Sequence, residues 1–226
     1  MIHSHTPQDR QRPVVIVFAK APLPNLVKTR LIPRVGPVVA CRLHEAFVQD
    51  TLHLLADFDF DIELHTDQPT LAWPQLSLVR KLQSEGDLGH RMLHALQTAL
   101  SQQRKPAMIL GSDSPTLPSA YVHQILQSPA DVCLGPADDG GYYAISCRRV
   151  APDMFNGVTW SCQETRAQTV DAARQAGLTV ALGPPWYDVD SSNDLDRLII
   201  DPGLAPATRQ ALAAAGILPP NPPSAP

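Results

Sequence analysis

The segment Val14 to Ala19, VVIVFA, is an uninterrupted run of apolar, mostly β-branched residues. A strand with one face in water alternates apolar with polar side chains, so a run without a polar position belongs inside a parallel sheet covered on both faces. Such a sheet needs helices above and below it, and the rest of the chain has their pattern. Leu43, Phe47, Thr51, Leu54 and Leu55 recur at helical spacing and predict a helix from about Pro37 to Ala56. Asp61 to Thr66 reads as a strand. Asp87 precedes the stripe Leu88, Met92, Leu93, Leu96 and Leu100, which predicts a capped helix to about Gln103. Further strands are expected at Ala107 to Leu110, Asp131 to Leu134, Tyr142 to Cys147 and Thr179 to Leu182. Helices are expected at Leu117 to Gln127, Gln163 to Ala176, Asn193 to Ile200 and Ala207 to Ala215. Strands alternating with helices of this length argue for a single three-layer α/β/α domain with a mostly parallel sheet.

Composition narrows the function. Eighteen Lys and Arg against 22 Asp and Glu leave a net charge of −4, no electrostatic footprint for nucleic acid or an anionic membrane. No apolar run is long enough to span a bilayer, and the polar start carries no leader pattern, so a cytoplasmic location is expected. The four cysteines, Cys41, Cys133, Cys147 and Cys162, lack metal-site or disulfide-framework spacing. Five of the 23 prolines fall in the last eight residues, where no helix or central strand can continue. Residues 1–12 are therefore expected to form a flexible N-terminus, 13–217 the domain, and 218–226 a disordered tail.

In open α/β sheets ligands bind beyond the carboxyl ends of the strands. The loop after the first strand, KAPLPNLVKTRL, gathers Lys20, Lys28 and Arg30 between stiffening prolines, either as an anion cradle or as a solvated basic loop. The strand at 107–110 runs into Gly111-Ser112-Asp113-Ser114-Pro115, where Asp113 either faces a hard cation such as Mg²⁺ or caps the next helix. Near the end, DVDSSNDL lets Asp188 and Asp190 face one side. Gly140 and Gly141, in GPADDGGYY, leave room for a ligand against the main chain, although an ordinary hairpin turn explains them equally well. GDLGHR opens a helix whose free N–H groups favour anions, with Asp87 and Arg91 beside them. Trp160 either stacks on a substrate ring or packs. Neither GxGxxG nor GxxxxGK[ST] occurs.

Taken together, FAKAPLPNLVKTRL, EGDLGHRM, GSDSPTLP, GPADDGGYYAI, VTWS and DVDSSNDL, in that order, resemble the bacterial glycosyltransferase-like family often assigned to arsenosugar biosynthesis. The resemblance spans roughly residues 14 to 200 and implies the GT-A, or nucleotide-diphospho-sugar transferase, fold. It also implies a nucleotide at the strand ends, with Mg²⁺ or Mn²⁺ between its phosphates and the carboxylates of Asp113 and Asp190. Lys28 and Arg30 then lie near the phosphates, and Asp139, Gly140, Gly141 and Tyr142 line the acceptor side. Asn25 stands where the family usually has glycine, a position that asparagine tolerates if the backbone is left-handed. The first loop is also similar to that of phospholactate guanylyltransferases and molybdenum-cofactor nucleotidyltransferases. The leading expectation is transfer of a sugar from a nucleotide-sugar donor to a small-molecule acceptor. The alternative is transfer of NMP from an NTP to a phosphorylated acceptor with release of pyrophosphate. A phosphohydrolase, suggested by DVDSS, and an inactive nucleotide-binding module are remote alternatives.

Overall fold

The computed structural model describes residues 12–74 and 78–219. Its elements are β1 (Val14–Ala19), α1 (Ile32–Ala56), β2 (Asp61–Thr66), β3 (Val79–Leu82), α2 (Leu88–Ser101), β4 (Ala107–Gly111), α3 (Ser119–Leu126), β5 (Val132–Pro136), β6 (Tyr142–Cys147), α4 (Thr165–Gln175), β7 (Val180–Leu182), α5 (Ser192–Ile199) and α6 (Pro206–Ala214). The strands form one seven-stranded sheet in the order β3-β2-β1-β4-β6-β5-β7. β1 pairs in parallel with β2 on one side and β4 on the other, β2 with β3, and β5 with β7. β6 alone runs against its neighbours, β4 and β5.

The apolar run of β1 is central, as its composition demands. Val14 to Val17 are fully buried, and alternate side chains enter opposite layers. Val15 and Val17, with Met108 and Leu110 of β4, pack under Val48 and Leu52 of α1 and Val122 and Ile125 of α3. Val14 and Ile16, with Ile109, pack under Met92 and Leu96 of α2 and Ala173 of α4. A third cluster joins Leu43 and Phe47 of α1 to Tyr187, Val189, Leu195, Leu198 and Leu212, which seats α5 and α6 against α1. The structure is thus a single α/β domain with a mostly parallel seven-stranded sheet.

Three sequence expectations are corrected. Gly36, at φ +77°, breaks α1, so the continuous helix starts at the expected Pro37, but a helical turn from Ile32 precedes it. β3 was not foreseen: VRKL has no apolar period because it pairs only with β2 and lies at the sheet edge, where charged side chains are tolerated. Leu218, assigned to the tail, packs with Ile217 on the third cluster, and its N–H donates to the Leu212 carbonyl at 3.3 Å. The domain therefore reaches at least Leu218, because the last apolar pair follows the end of α6 rather than preceding it. Residues 1–11 and 220–226, most of the expected flexible ends, lie outside the described residues. Among the described residues, no helix is long and apolar enough to cross a membrane.

Candidate functional site

After β1 the chain builds β2 and β3 on one side and then returns to place β4 on the other. The carboxyl ends of β1 and β4 open into a cleft of about 720 Å³. Its basic wall is the loop after β1: Lys20, Lys28 and Arg30 all line it. Two residues of this loop have left-handed backbone, Asn25 at φ 67° and Lys28 at φ 46°. The asparagine thus stands at a position that does require the left-handed region, as its replacement of the family's glycine suggests. Lys28 holds a conformation that L-residues adopt at a cost, a kind of strain that clusters at functional sites.

The opposite wall is the N-terminus of α2. The Asp87 carboxylate accepts from the His90 N–H at 2.8 Å and caps the helix. Arg91 donates to the Asp87 carbonyl at 3.3 Å and to Gln83 Oε1 at 3.0 Å, so its guanidinium is held over the cleft. Trp160 lines the cleft while packing edge-on against Phe155 and over Gly89. A Cβ on Gly89 would stand 2.6 Å from the indole, so only glycine lets that ring lie across the helix.

On the cleft floor, Gly111 ends β4, Ser112 and Asp113 follow it, and Asp190 comes from the segment between β7 and α5. The Val189 N–H donates to the Asp113 carbonyl at 2.8 Å and sets the two aspartates side by side. Between them lies the Lys28 ammonium, 2.7 Å from Asp113 Oδ1, 2.9 Å from Asp190 Oδ1 and 2.8 Å from the Val189 carbonyl. The Lys28 side chain is 3% exposed, whereas those of Asp113 and Asp190 are 44% and 39% exposed. Burial works against the Lys28 charge, but the two carboxylates outweigh it and raise the ammonium above its usual range. Burial likewise opposes the Asp113 charge, and Lys28 overcomes it and lowers that carboxyl. The floor is therefore a cation position defined by two carboxylates and a carbonyl. Those donors suit a hard divalent ion, which usually takes one or two protein carboxylates and completes its shell with phosphate oxygens and water. The residues present fit Mg²⁺ provided Lys28 moves.

Asp188, just before this pair, is half-buried. Burial first, then the negative charges of Asp139, Asp190 and Asp113, push its carboxyl up to about 6. The expected acceptor-side residues are placed differently. None of Asp139, Gly140, Gly141 and Tyr142 lines the cleft. The Asp139 carboxylate accepts from the Gly141 N–H at 2.8 Å and shapes the β5–β6 turn. Gly140, at φ +90°, lies so near the Gln163 carbonyl that a Cβ would come within 2.2 Å of it. Its own carbonyl accepts from the Arg166 N–H at 3.0 Å. Gly140 thus docks the segment before α4 onto the turn, and the two glycines sit in the hairpin between β5 and β6 that the alternative reading gave. Tyr142 packs with the α2/α4 layer, because its alternation in β6 turns the ring under the sheet.

Among the cleft residues that the sequence did not single out are Gln83 and His44. Gln83 donates to the Ala19 and His65 carbonyls at 3.3 and 3.1 Å while accepting from Arg91, and so ties the ends of β1 and β2 to α2. It follows β3 directly, and the strand-end rule would have found it had β3 been legible. His44 on α1 contacts the Lys20 carbonyl through Nε2 at 2.9 Å. Burial pushes its imidazole below the usual value, and a single helical histidine without ligand spacing gave no signal.

The single α/β domain with its mostly parallel seven-stranded sheet is structurally similar to the nucleotide-diphospho-sugar transferases. A Desulfovibrio desulfuricans protein assigned as a nucleotide-diphospho-sugar transferase is 32% identical, with a TM-score of 0.79 over 90% of this chain and 96% of that one. Residues 48–162 match the model of the family described as uncharacterized proteins conserved in bacteria, DUF2064, and the chain belongs to that family. It is also 28% identical over 177 residues to the 2-phospho-L-lactate guanylyltransferase of Methanocella arvoryzae, covering 77% of this chain and 75% of the relative. The inositol-1-phosphate CTP transferase of T. maritima, at 11% identity, TM-score 0.56 and coverage of 89% and 97%, shares the fold. A transferase is supported in general terms.

Proposed function

We propose that the protein is a nucleotidyltransferase that binds a nucleoside triphosphate in the cleft and passes its NMP to a phosphorylated small molecule. This reverses the order of the two readings drawn from the sequence. The observation that carries it is the convergence of four cations, Lys20, Lys28, Arg30 and Arg91, with the N-terminus of α2, on one cleft. A triphosphate bears more charge than the diphosphate of a nucleotide sugar and matches that wall better. The similarity to a guanylyltransferase points the same way.

In this reading an oxygen of the acceptor phosphate attacks the α-phosphorus. The bond from that phosphorus to the β-phosphate oxygen breaks, and pyrophosphate leaves with the electron pair. A phosphate acceptor is already anionic, so no side chain need take a proton. Arg30 and Arg91 neutralise charge as it builds on the leaving group, where donors fixed in advance stabilise most. Asp113 and Asp190 would hold Mg²⁺, which would supply charge that screens the phosphates from one another. Trp160 offers a face for the base. The test is incubation with each NTP, Mg²⁺ and a panel of phosphorylated acceptors: acceptor-dependent pyrophosphate release is expected, and its absence across the panel overturns the reading.

Glycosyl transfer is the second reading, favoured by the 32% identity to the Desulfovibrio protein. The carboxyl of Asp188, next to the floor, also suits a hydroxyl acceptor better than a phosphate. Release of a nucleoside diphosphate from a nucleotide sugar, without pyrophosphate from any NTP, would establish it in place of the first.

A further inference from the structure

We infer that Lys28 is a tethered cation that occupies the divalent-ion position of the free protein, so that metal enters only when Lys28 leaves. The inference rests on the proposed metal-dependent nucleotide site and goes beyond it by giving that site a built-in competitor.

The geometry is that of a filled ion site. Three acceptors, Asp113 Oδ1, Asp190 Oδ1 and the Val189 carbonyl, lie 2.7 to 2.9 Å from one nitrogen. An ammonium has three donors, so each is used and none is left for a ligand. The ammonium lies over the Phe47 ring, with Nζ 5.4 Å from its centroid, and the side chain is closed off from solvent. The two carboxylates are not closed off: more than a third of each faces the cleft. An arriving ion therefore meets accessible carboxylates whose inner oxygens already serve a positive charge. Two cations cannot share those oxygens at hydrogen-bond distance, since like charges this close in a partly buried site repel strongly.

What releases Lys28 is another anion. Its Cα sits in the same loop as Lys20 and Arg30, and the three share one wall of the cleft. Phosphates bound there offer the ammonium an alternative partner, and the vacated carboxylates then accept a divalent ion. The left-handed backbone at Lys28, φ 46° and ψ 42°, fits a residue held in one arrangement by its side-chain partners rather than by its own preference. Exchange of this kind makes nucleotide and metal binding mutually dependent, and the coupling is reciprocal by linkage.

The test is Mn²⁺ binding, read from the loss of the free-ion paramagnetic signal, to the wild type and to Lys28→Met, each without nucleotide. A competing internal cation lowers apparent affinity by the fraction of time it occupies the site. Lys28→Met is therefore expected to bind Mn²⁺ at least about tenfold more tightly than the wild type, and Lys28→Met/Asp113→Asn to lose that gain. Lys28→Gln, which keeps a polar but shorter side chain without the charge, should show the same gain, and a rise in Tm with Mn²⁺ checks both variants by a second route. Adding GTP, ATP or CTP in turn should raise wild-type Mn²⁺ affinity much more than that of Lys28→Met. If the free variants bind Mn²⁺ no better than the wild type while a nucleotide still brings the ion to the wild type, the exchange is overturned and the proposed function stands. If no protein binds Mn²⁺ with or without nucleotide, the exchange and the metal-dependent reading both fall.

Discussion

Two ion clusters lie on this sheet, and they are built the opposite way round. At the β2 end a carboxylate is buried and cations surround it: Glu63, 3% exposed, pairs with Arg104 and Lys81 and accepts from His65 Nε2 at 2.8 Å. Arg104 also reaches Asp61 at 2.7 Å. Burial raises the Glu63 carboxyl, but the hydrogen bonds from His65, Lys81 and Arg104 outweigh it and hold it at about 2. At the cleft the cation is buried and the carboxylates face solvent. The first arrangement is sealed, because its partners converge on a group with nowhere else to turn. The second is open, because a ligand can reach Asp113 and Asp190 without unfolding anything. A closed cluster contributes to stability; an open one is available for chemistry.

The largest expected effect tests the sealed side. Glu63→Ala leaves Arg104, Lys81 and His65 without their shared anion and should cost about 3 to 5 kcal/mol of unfolding free energy, measured by urea titration. Any NTP turnover by the remaining folded protein should be unaltered; a turnover loss matching the stability loss would erase the contrast between the clusters. The same carboxyl predicts the acid behaviour. Its folded-state value lies below the unfolded one, so its contribution is present above pH 4.5 and fades as pH falls toward about 2, a loss on the order of 3 kcal/mol. Glu63→Gln should flatten that part of the pH–stability curve, and an unchanged slope would assign acid sensitivity elsewhere.

The open cluster is tested next. Asp113→Asn removes a charge that faces the cation position while keeping the side chain's shape, so turnover should fall on the order of 10²-fold with little change in Tm. A large drop in Tm with unchanged turnover would make Asp113 structural, like Glu63. The smallest effect belongs to the exposed cation Arg30: Arg30→Ala should lower kcat/KM by roughly tenfold, about 1.5 kcal/mol, the low end for a charge-assisted hydrogen bond. Under nucleotidyl transfer the loss falls mainly on kcat, since the charge it meets develops on departing pyrophosphate. Under glycosyl transfer KM rises at least as much as kcat falls.

What was legible in the sequence follows the strength of the local signal. Six of the seven strands and all six helices announce themselves through apolar runs or helical periodicity, which one-dimensional patterns carry. β3 does not, because an edge strand buries too little to need apolar residues, and Gln83 went unread with it. The cleft residues legible from loop chemistry were those whose backbone lies at a strand end or helix start: Lys20, Lys28, Arg30, Asp87, Arg91, Gly111, Ser112, Asp113 and Asp190. The GPADDGGYY turn carried an equally suggestive composition and yet stands outside the cleft, since glycine serves close packing against Gln163 as readily as it serves a ligand.

The sequence by itself determined the layering of the domain, because burial on both faces of β1 is written in six consecutive residues. It also located the charged loops of the cleft, since basic and acidic residues at strand ends are read directly from local composition. Tertiary structure decided which charges meet. Lys28 and Asp190 are 162 residues apart, and only the return of the chain past β7 brings them to 2.9 Å. It likewise decided which of two charged clusters is shut and which is open, because solvent access depends on what packs above a side chain and no local pattern encodes that.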